Sequence, residues 1–443
     1  MKLLVYEGFE RAGAEVAFAY RSDGRVWHLR LGLGDLAAPF AELPAEAARH
    51  LLAHTGVAFA RYLFPLDDFD QLHVEPVHLP PSAARFHERS LLHHLAETRY
   101  RHGLPVTKRV GVTSSPLAQR SAPLEREWRD EALLLDGGGK DSAVAAEALK
   151  AAGVPFTWLA VGSPPSAAQH DLAAASGNPR LVVLEHRAHH PEIHDGAPYP
   201  EMLAPRLGVL AVLAAAALGT RWVVLANERS AGFANLTVDG LAVNHQWGKS
   251  LAAERAFADH AERHLVRGLG FFSLLAPLWE IQIARIFARY PAYHRRFLSC
   301  NLGQRRGAWC GHCPKCAFVY LLLAAFLPAD EVAAIFGGEL LASPRIRYWV
   351  ERLTRGRKPF ECVGTREEAR LALSLALERL ARPAQVAPEA WARLRELAGE
   401  RRPADRRMLT EIHLDHRIPS ELAPAVLAFF RRELAAPLGS GPC

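Results

Sequence analysis

The chain has 443 residues, half of them hydrophobic and 23% charged, with a formal net charge of +6. At about 150 residues per domain there is room for three domains with large cores, and the composition is neither disordered nor fibrous. The basic residues are scattered apart from a short run at Arg352–Lys358, which favours small anionic substrates over a nucleic-acid surface.

No secretory signal is read at the start, because Met1–Tyr6 is short and runs into Glu7 and Glu10. Val16, Phe18 and Tyr20 alternate, as do Trp27, Leu29 and Leu31, with Asp23-Gly24 between them as a hairpin turn. A helical run, Ala45–Leu63, carries Gly56 inside it. An extended piece, His73–His78, and Pro80-Pro81 lead to a histidine-rich helix, Ala83–Arg101. Residues 1–128 are therefore expected to form an accessory α+β domain. Its histidines, His87, His93, His94 and His102, are expected on solvated or half-buried faces rather than on a metal.

From Glu131 the pattern changes. Ala132–Leu135 reads as a buried strand, followed by Gly137, Gly138 and Gly139, then Lys140, Asp141 and Ser142 opening a helix that Gly153 ends. A strand, a glycine-rich loop and a helix N-terminus make an anion site, since backbone and unpaired N–H groups approach phosphate oxygens closely. Asp141 between the lysine and the serine excludes the GxxxxGK[ST] phosphate loop. Strands over 131–135, 155–161, 180–185 and 221–226 alternate with helices over 142–152, 165–175 and 201–218. Such alternation predicts a parallel, doubly wound sheet with ligands beyond the strands' C-terminal ends. The loops expected there are polar: His186–His190 with His194 and Asp195, Asn227-Glu228-Arg229-Ser230, and Val243-Asn-His-Gln-Trp-Gly-Lys-Ser250 before a helix from Leu251 to about Leu265. The longest apolar run, Leu207–Gly219, is too short to span a bilayer and reads as a buried helix.

Four of the six cysteines fall in one stretch, Cys300, Cys310, Cys313 and Cys316. Two Cys-x-x-Cys steps plus a distant cysteine supply four soft ligands for a structural zinc, in a reducing cytoplasm rather than in disulfides. His312 lies inside this knuckle. Helices are expected over Phe318–Phe326, Asp330–Phe336, Arg366–Leu380, 388–398 and 420–434. The loop Lys358–Thr365 precedes the third, which Thr365 and Glu368 cap. Residues 129–345 are taken as the nucleotide domain with its knuckle and 346–443 as a helical C-terminal domain.

Gly138, Gly139, Asp141 and Ser142 resemble the PP-loop of ATP pyrophosphatases, Ser-Gly-Gly-x-Asp-Ser, with Gly137 in place of the first serine. With Asn227–Ser230, Asn244–Trp247, Lys249-Ser250, Cys300-Asn301, Trp309–Cys316 and Lys358–Gly364, the chain is similar to the UDP-N-acetylmuramoyl-L-alanyl-L-glutamate epimerases of peptidoglycan synthesis. The resemblance covers residues 130–365 in blocks. It implies a doubly wound α/β sheet of the adenine nucleotide alpha hydrolase-like type, a cytoplasmic enzyme, ATP and Mg²⁺ as cofactors, and a UDP-muramoyl dipeptide as the small-molecule substrate. ATP would adenylate the glutamate carboxylate, releasing diphosphate, so that the Cα proton can leave. The implied nucleotide site is Gly137–Ser142 with Asn227, Glu228, Arg229 and Ser230. Lys140 and Asp141, expected on an exposed loop, would serve adenylation, with Asp141 and Glu228 as metal partners. His245, in a polar loop and of a residue type that titrates near neutral pH when unperturbed, is the first proton carrier, with Lys249 or His312 as the second. No nucleic-acid or membrane partner is expected. The competing readings are a PP-loop ligase of the 7-cyano-7-deazaguanine synthase type and a zinc-ribbon nucleic-acid-binding protein.

Overall fold

The computed structural model describes residues 1–162, 166–187 and 203–437. Its centre is a ten-stranded sheet. The first half holds β1 (Leu3–Ala12), β2 (Glu15–Ser22), β3 (Arg25–Gly32), β4 (Gln71–Val74) and β5 (Gly111–Ser114). The second holds β6 (Arg129–Leu135), β7 (Phe156–Val161), β8 (Leu181–Arg187) and β9 (Thr220–Leu225). A small antiparallel ribbon of β10 (Leu236–Val238) and β11 (Leu241–Val243) follows, and β12 (Gly270–Ser273) returns to the sheet. The strand order is β12-β9-β6-β7-β8-β3-β2-β1-β4-β5, so β3 joins both halves by pairing antiparallel with β8.

The expected alternating region forms as a mixed α/β unit whose five strands β12, β9, β6, β7 and β8 run parallel. Because side chains alternate along a strand, each of these strands feeds two cores. Ala132, Leu134, Trp222 and Val224 pack on one face against helices that include Lys140–Ala151, Glu280–Phe287 and Pro314–Ala324. Leu133 and Val223 face the opposite core with helices Ala45–Phe59, Leu203–Leu218 and Leu251–His264. The winding reverses between β6 and β9, and crevices at such reversals bind ligands. No helix among the described residues is long and apolar enough to cross a membrane.

The β2–β3 hairpin turns at Asp23-Gly24 as expected, with both residues at positive φ. The strand β1 carried no clear alternation and was not foreseen. It packs Tyr6 onto the helix Ala45–Phe59 at Gly56, where a Cβ would lie 2.1 Å from the Tyr6 ring. Tyr20 donates to the Gly56 carbonyl at 2.6 Å, so the glycine inside this helix is a contact point for two tyrosines. The expectation for the helix Pro81–Arg101 fails for two histidines: His87 and His94 are 4% and 5% exposed, because this helix is covered by Leu251–His264. Beyond β12 the described chain is helical, and the Thr365–Glu368 capping box forms at the start of Arg366–Arg379. Helices Glu280–Phe287, Pro344–Thr354 and Pro403–Thr410 were not anticipated.

Candidate active site

The glycine-rich loop leaves β6 at the winding reversal. Gly138 has φ +71°, a conformation that favours glycine, and Gly139 caps the helix Lys140–Ala151. The Gly137 N–H donates to Ser142 Oγ at 3.2 Å and the Gly138 N–H to Asp136 Oδ1 at 2.7 Å. A Cβ on Gly139 would meet Ser299 Oγ at 2.9 Å, whereas one on Gly137 would meet nothing within 4 Å. The departure from serine at 137 is therefore not forced by space. The other Asp136 oxygen has no partner, and burial pushes this carboxyl up to about 7.

Lys140 is not on an exposed loop. It is the first residue of the helix, 1% exposed, and its ammonium donates to Asp141 and, at 2.5 Å, to Glu280 Oε2. Lys315 lies 3.7 Å from the other Glu280 oxygen. Burial raises the Glu280 carboxyl, but Lys140 and Lys315 overcome this and hold it at about 2. Glu228, 4% exposed, is raised by burial, with Lys249 opposing. Three ammonium and three carboxylate groups, Lys140, Lys249, Lys315, Asp141, Glu228 and Glu280, thus influence one another beneath the loop. Asp141 acts electrostatically on Glu228, and Asp136 keeps one buried oxygen without a partner.

The Asn227–Ser230 block divides. Asn227 donates to Ser273 Oγ at 3.1 Å and lines the adjoining cavity, and Glu228 joins the charged group. Arg229 lies over the Trp279 ring at 5.5 Å. Ser230, fully buried, donates to Glu368 Oε1 at 2.8 Å and so ties the block to the Thr365 cap. Residues 188–202, which include His189, His190, His194 and Asp195, lie outside the described residues.

A cavity of about 300 Å³ opens beside the loop, lined by Gly137, Asn227, His245, Gln246, Lys249 and Cys362 among others. His245 Nδ1 lies 2.7 Å from Glu97 Oε2, both groups nearly inaccessible. Burial alone lowers this imidazole, yet Cys362 and Glu97 outweigh it and hold it up at about 10. The imidazole is therefore perturbed upward from the ordinary histidine value, by partners that the sequence did not reveal. The Lys249 ammonium is raised, first by Cys362. Ser250 accepts from the Ala253 N–H at 3.2 Å and caps the helix Leu251–His264, fixing Lys249 one residue before it.

The four knuckle cysteines converge, with all sulfurs within 4.8 Å of one another. Cys300 and Cys313 are 3.9 Å apart, Cys310 and Cys316 3.6 Å. Tetrahedral zinc with Zn–S of about 2.3 Å requires S···S of about 3.8 Å, so the set fits a metal. His312 Nδ1 bonds the Cys310 carbonyl at 2.7 Å, and its own carbonyl accepts from Trp349 at 3.0 Å. These contacts tie it to the knuckle rather than to the cavity lining.

Sequence reasoning missed Glu97, Glu280, Lys315 and Cys362. Glu97 and Glu280 carry no local signal, since their partners His245 and Lys140 lie 148 and 140 residues away. Lys315 and Cys362 stood inside noted blocks, Cys-Pro-Lys-Cys and Lys358–Thr365, as neighbours of residues singled out for other reasons.

Comparison with known proteins bears on this site. The family model of the MurL N-terminal domain matches residues 4–274, and that of the MurL C-terminal domain matches residues 296–403. A protein of Xanthomonas oryzae pv. oryzae named UDP-N-acetyl-alpha-D-muramoyl-L-alanyl-L-glutamate epimerase is 35% identical over 397 residues, covering 86% of this chain and 85% of its own. Proteins of the same name from Salinispora tropica and a Micromonospora species are 38% and 37% identical, over 68% and 64% of this chain and 68% and 65% of theirs. No solved structure matches the chain significantly.

Proposed function

The chain belongs to the MurL family of UDP-N-acetyl-alpha-D-muramoyl-L-alanyl-L-glutamate epimerases, and on that premise we propose that it inverts the terminal glutamate through an ATP-dependent acyl-adenylate. The observation that carries the mechanism is the shared edge: Gly137 and Asn227, from the loops after β6 and β9, line the same cavity as His245 and Lys249. Phosphate chemistry and proton chemistry are thus adjacent, as an enzyme that activates a carboxylate and then moves its neighbouring proton requires.

The α-proton of an ionised glutamate is very weakly acidic, because its loss creates a second negative charge beside the carboxylate. Attack of that carboxylate on the α-phosphorus of ATP, with diphosphate leaving, removes the charge and gives a carbonyl that can hold an enolate. The glycine-rich loop and the N-terminus of Lys140–Ala151 supply N–H groups and a favourable dipole for the phosphates, with Lys140 as the fixed cation. Mg²⁺ held by Asp141 and Glu228 would neutralise charge on the departing diphosphate. Removal of the proton on one face, its return on the other and hydrolysis of the mixed anhydride then yield D-glutamate and AMP.

The helix Pro81–Arg101, within the accessory region 1–128, supports this site by supplying Glu97 to His245. The PP-loop type of nucleotide fold and a structural zinc in the knuckle belong to the same proposal, and a reducing cytoplasm suits free thiolate ligands. The test is direct. Incubation with ATP, Mg²⁺ and the UDP-linked L-Ala-L-Glu dipeptide should release AMP and D-glutamate-containing product in equal amounts. Product of unchanged chirality, or inversion without AMP, would refute the reading.

A further inference from the structure

Epimerisation needs a group that accepts a proton as well as one that donates it, and two of the groups expected to carry protons are cations. His245 keeps its charge to about pH 10 and the Lys249 ammonium is raised. Both shifts favour the protonated, proton-donating form. The cavity lining offers three other titratable groups. His94 donates to the Ser90 carbonyl through Nδ1 at 2.6 Å, and burial depresses its basicity far below that of an ordinary histidine. Glu254 accepts the Ser273 N–H at 3.0 Å through Oε2, its buried Oε1 has no partner, and burial pushes its carboxyl up to about 7. The third is Cys362, half-buried in the cavity wall, with its sulfur within 4.8 Å of a His245 ring nitrogen.

Resting on the epimerase reading, we propose that Cys362 is the catalytic base: its thiolate takes the Cα proton of the activated glutamate, beside His245 and Lys249. Burial pushes the thiol up, but the nearby Lys249 and His245 outweigh it and bring it below its usual value. Glu97 holds the imidazole through Nδ1, with the Cys362 sulfur within 4.8 Å of a ring nitrogen. A second observation points to substrate at the same wall. Gln246 Nε2 donates to the Val363 carbonyl at 3.0 Å, while its buried Oε1 has no partner. That orphan acceptor suits the peptide N–H bonded to the reacting carbon. In the step, the C–H bond breaks, an S–H bond forms, and the electron pair enters the acyl-adenylate carbonyl as an enolate. The Lys249 ammonium returns a proton to the opposite face, and the thiol then restores that proton to the amine through solvent.

Cys362→Ser replaces the thiolate with a hydroxyl that stays protonated, at nearly constant volume. In D₂O with ATP, Mg²⁺ and the UDP-linked dipeptide, AMP should still form as the acyl-adenylate hydrolyses. Deuterium entry at Cα and inversion should both fall by about 10²–10⁴-fold. Three results overturn the proposal: exchange at the wild-type rate in Cys362→Ser, loss of exchange in Glu254→Gln with Cys362→Ser unaffected, or a substrate acyl group found on Cys362 by mass spectrometry. The wild-type arm separates this from the wider reading, since wild-type protein that makes neither AMP nor D-glutamate refutes the epimerase assignment itself.

Discussion

Lys140 and Glu280 form an ion pair at 2.5 Å with each side chain 1% exposed, joining the helix that follows the glycine-rich loop to a helix 140 residues later. The pair fixes Lys140 at the start of the helix that follows the glycine-rich loop. It also gives the lysine two roles that mutation cannot separate cleanly.

Lys140→Ala should therefore both unfold more easily and lose AMP formation. Removing one partner of a buried pair costs up to about 3–5 kcal/mol, here offset in part because Glu280 keeps Lys315 at 3.7 Å, while losing the group proposed to stabilise the phosphates costs about a hundredfold or more in rate. Glu280→Gln should show a comparable loss of stability, partly relieved because Lys140 keeps Asp141 as a partner. Chemical denaturation of both variants checks this. A stability loss under 1 kcal/mol in each would mean that the pair is solvated in solution.

The knuckle should hold one zinc. Elemental analysis of protein purified without chelator should give about one zinc per chain, and Cys313→Ser should lower metal content and unfolding stability together, because metal binding contributes folding free energy. A metal-free protein with unchanged stability would leave the four sulfurs as packed thiols.

How much of this was legible in the sequence follows the range of the interaction. The β2–β3 hairpin, the glycine loop, the Thr365–Glu368 box and the cysteine spacing are written within a few residues, and each forms. The strand β1 lacks an apolar alternation because it leaves its parallel partner β4 at Tyr6, and its outer end, Glu10–Ala12, is exposed. Lys140 looked exposed because a loop lysine usually is; what buries it comes from Glu280. His245 looked like a neutral-pH switch because nothing local reveals Glu97 or Cys362. Pairings across more than a hundred residues are set by packing, and no spacing rule reaches that far.

The His245–Glu97 contact has a measurable pH signature. With its folded value raised from 6.5 to about 10, His245 binds its proton more tightly in the folded state. Its stabilisation is thus fully present below pH 6.5 and is lost as pH rises towards 10. Glu97→Gln should shrink the fall in unfolding free energy between pH 7 and 10, and NMR should find the imidazole titrating closer to 6.5 than in the wild type. An unaltered titration in Glu97→Gln would assign the upward shift to Cys362 alone.

The order of the two chemical events is the last point open to measurement. If activation must come first, exchange of the glutamate Cα hydrogen with solvent depends on ATP. In D₂O with ATP and Mg²⁺ the inverted product should carry deuterium at that carbon, and leaving out ATP should abolish exchange in both substrate and product. The dependence should survive in His245→Asn, because the proposed adenylation draws on Lys140, Asp141 and the loop rather than on the cavity's proton groups. The exchange rate in that variant should fall by about 10²–10⁴-fold, since the thiolate loses its imidazolium partner and the cavity loses a donor. Deuterium at Cα without ATP would mean that the cavity acidifies an unactivated glutamate. The charged residues beneath the glycine loop would then need another explanation.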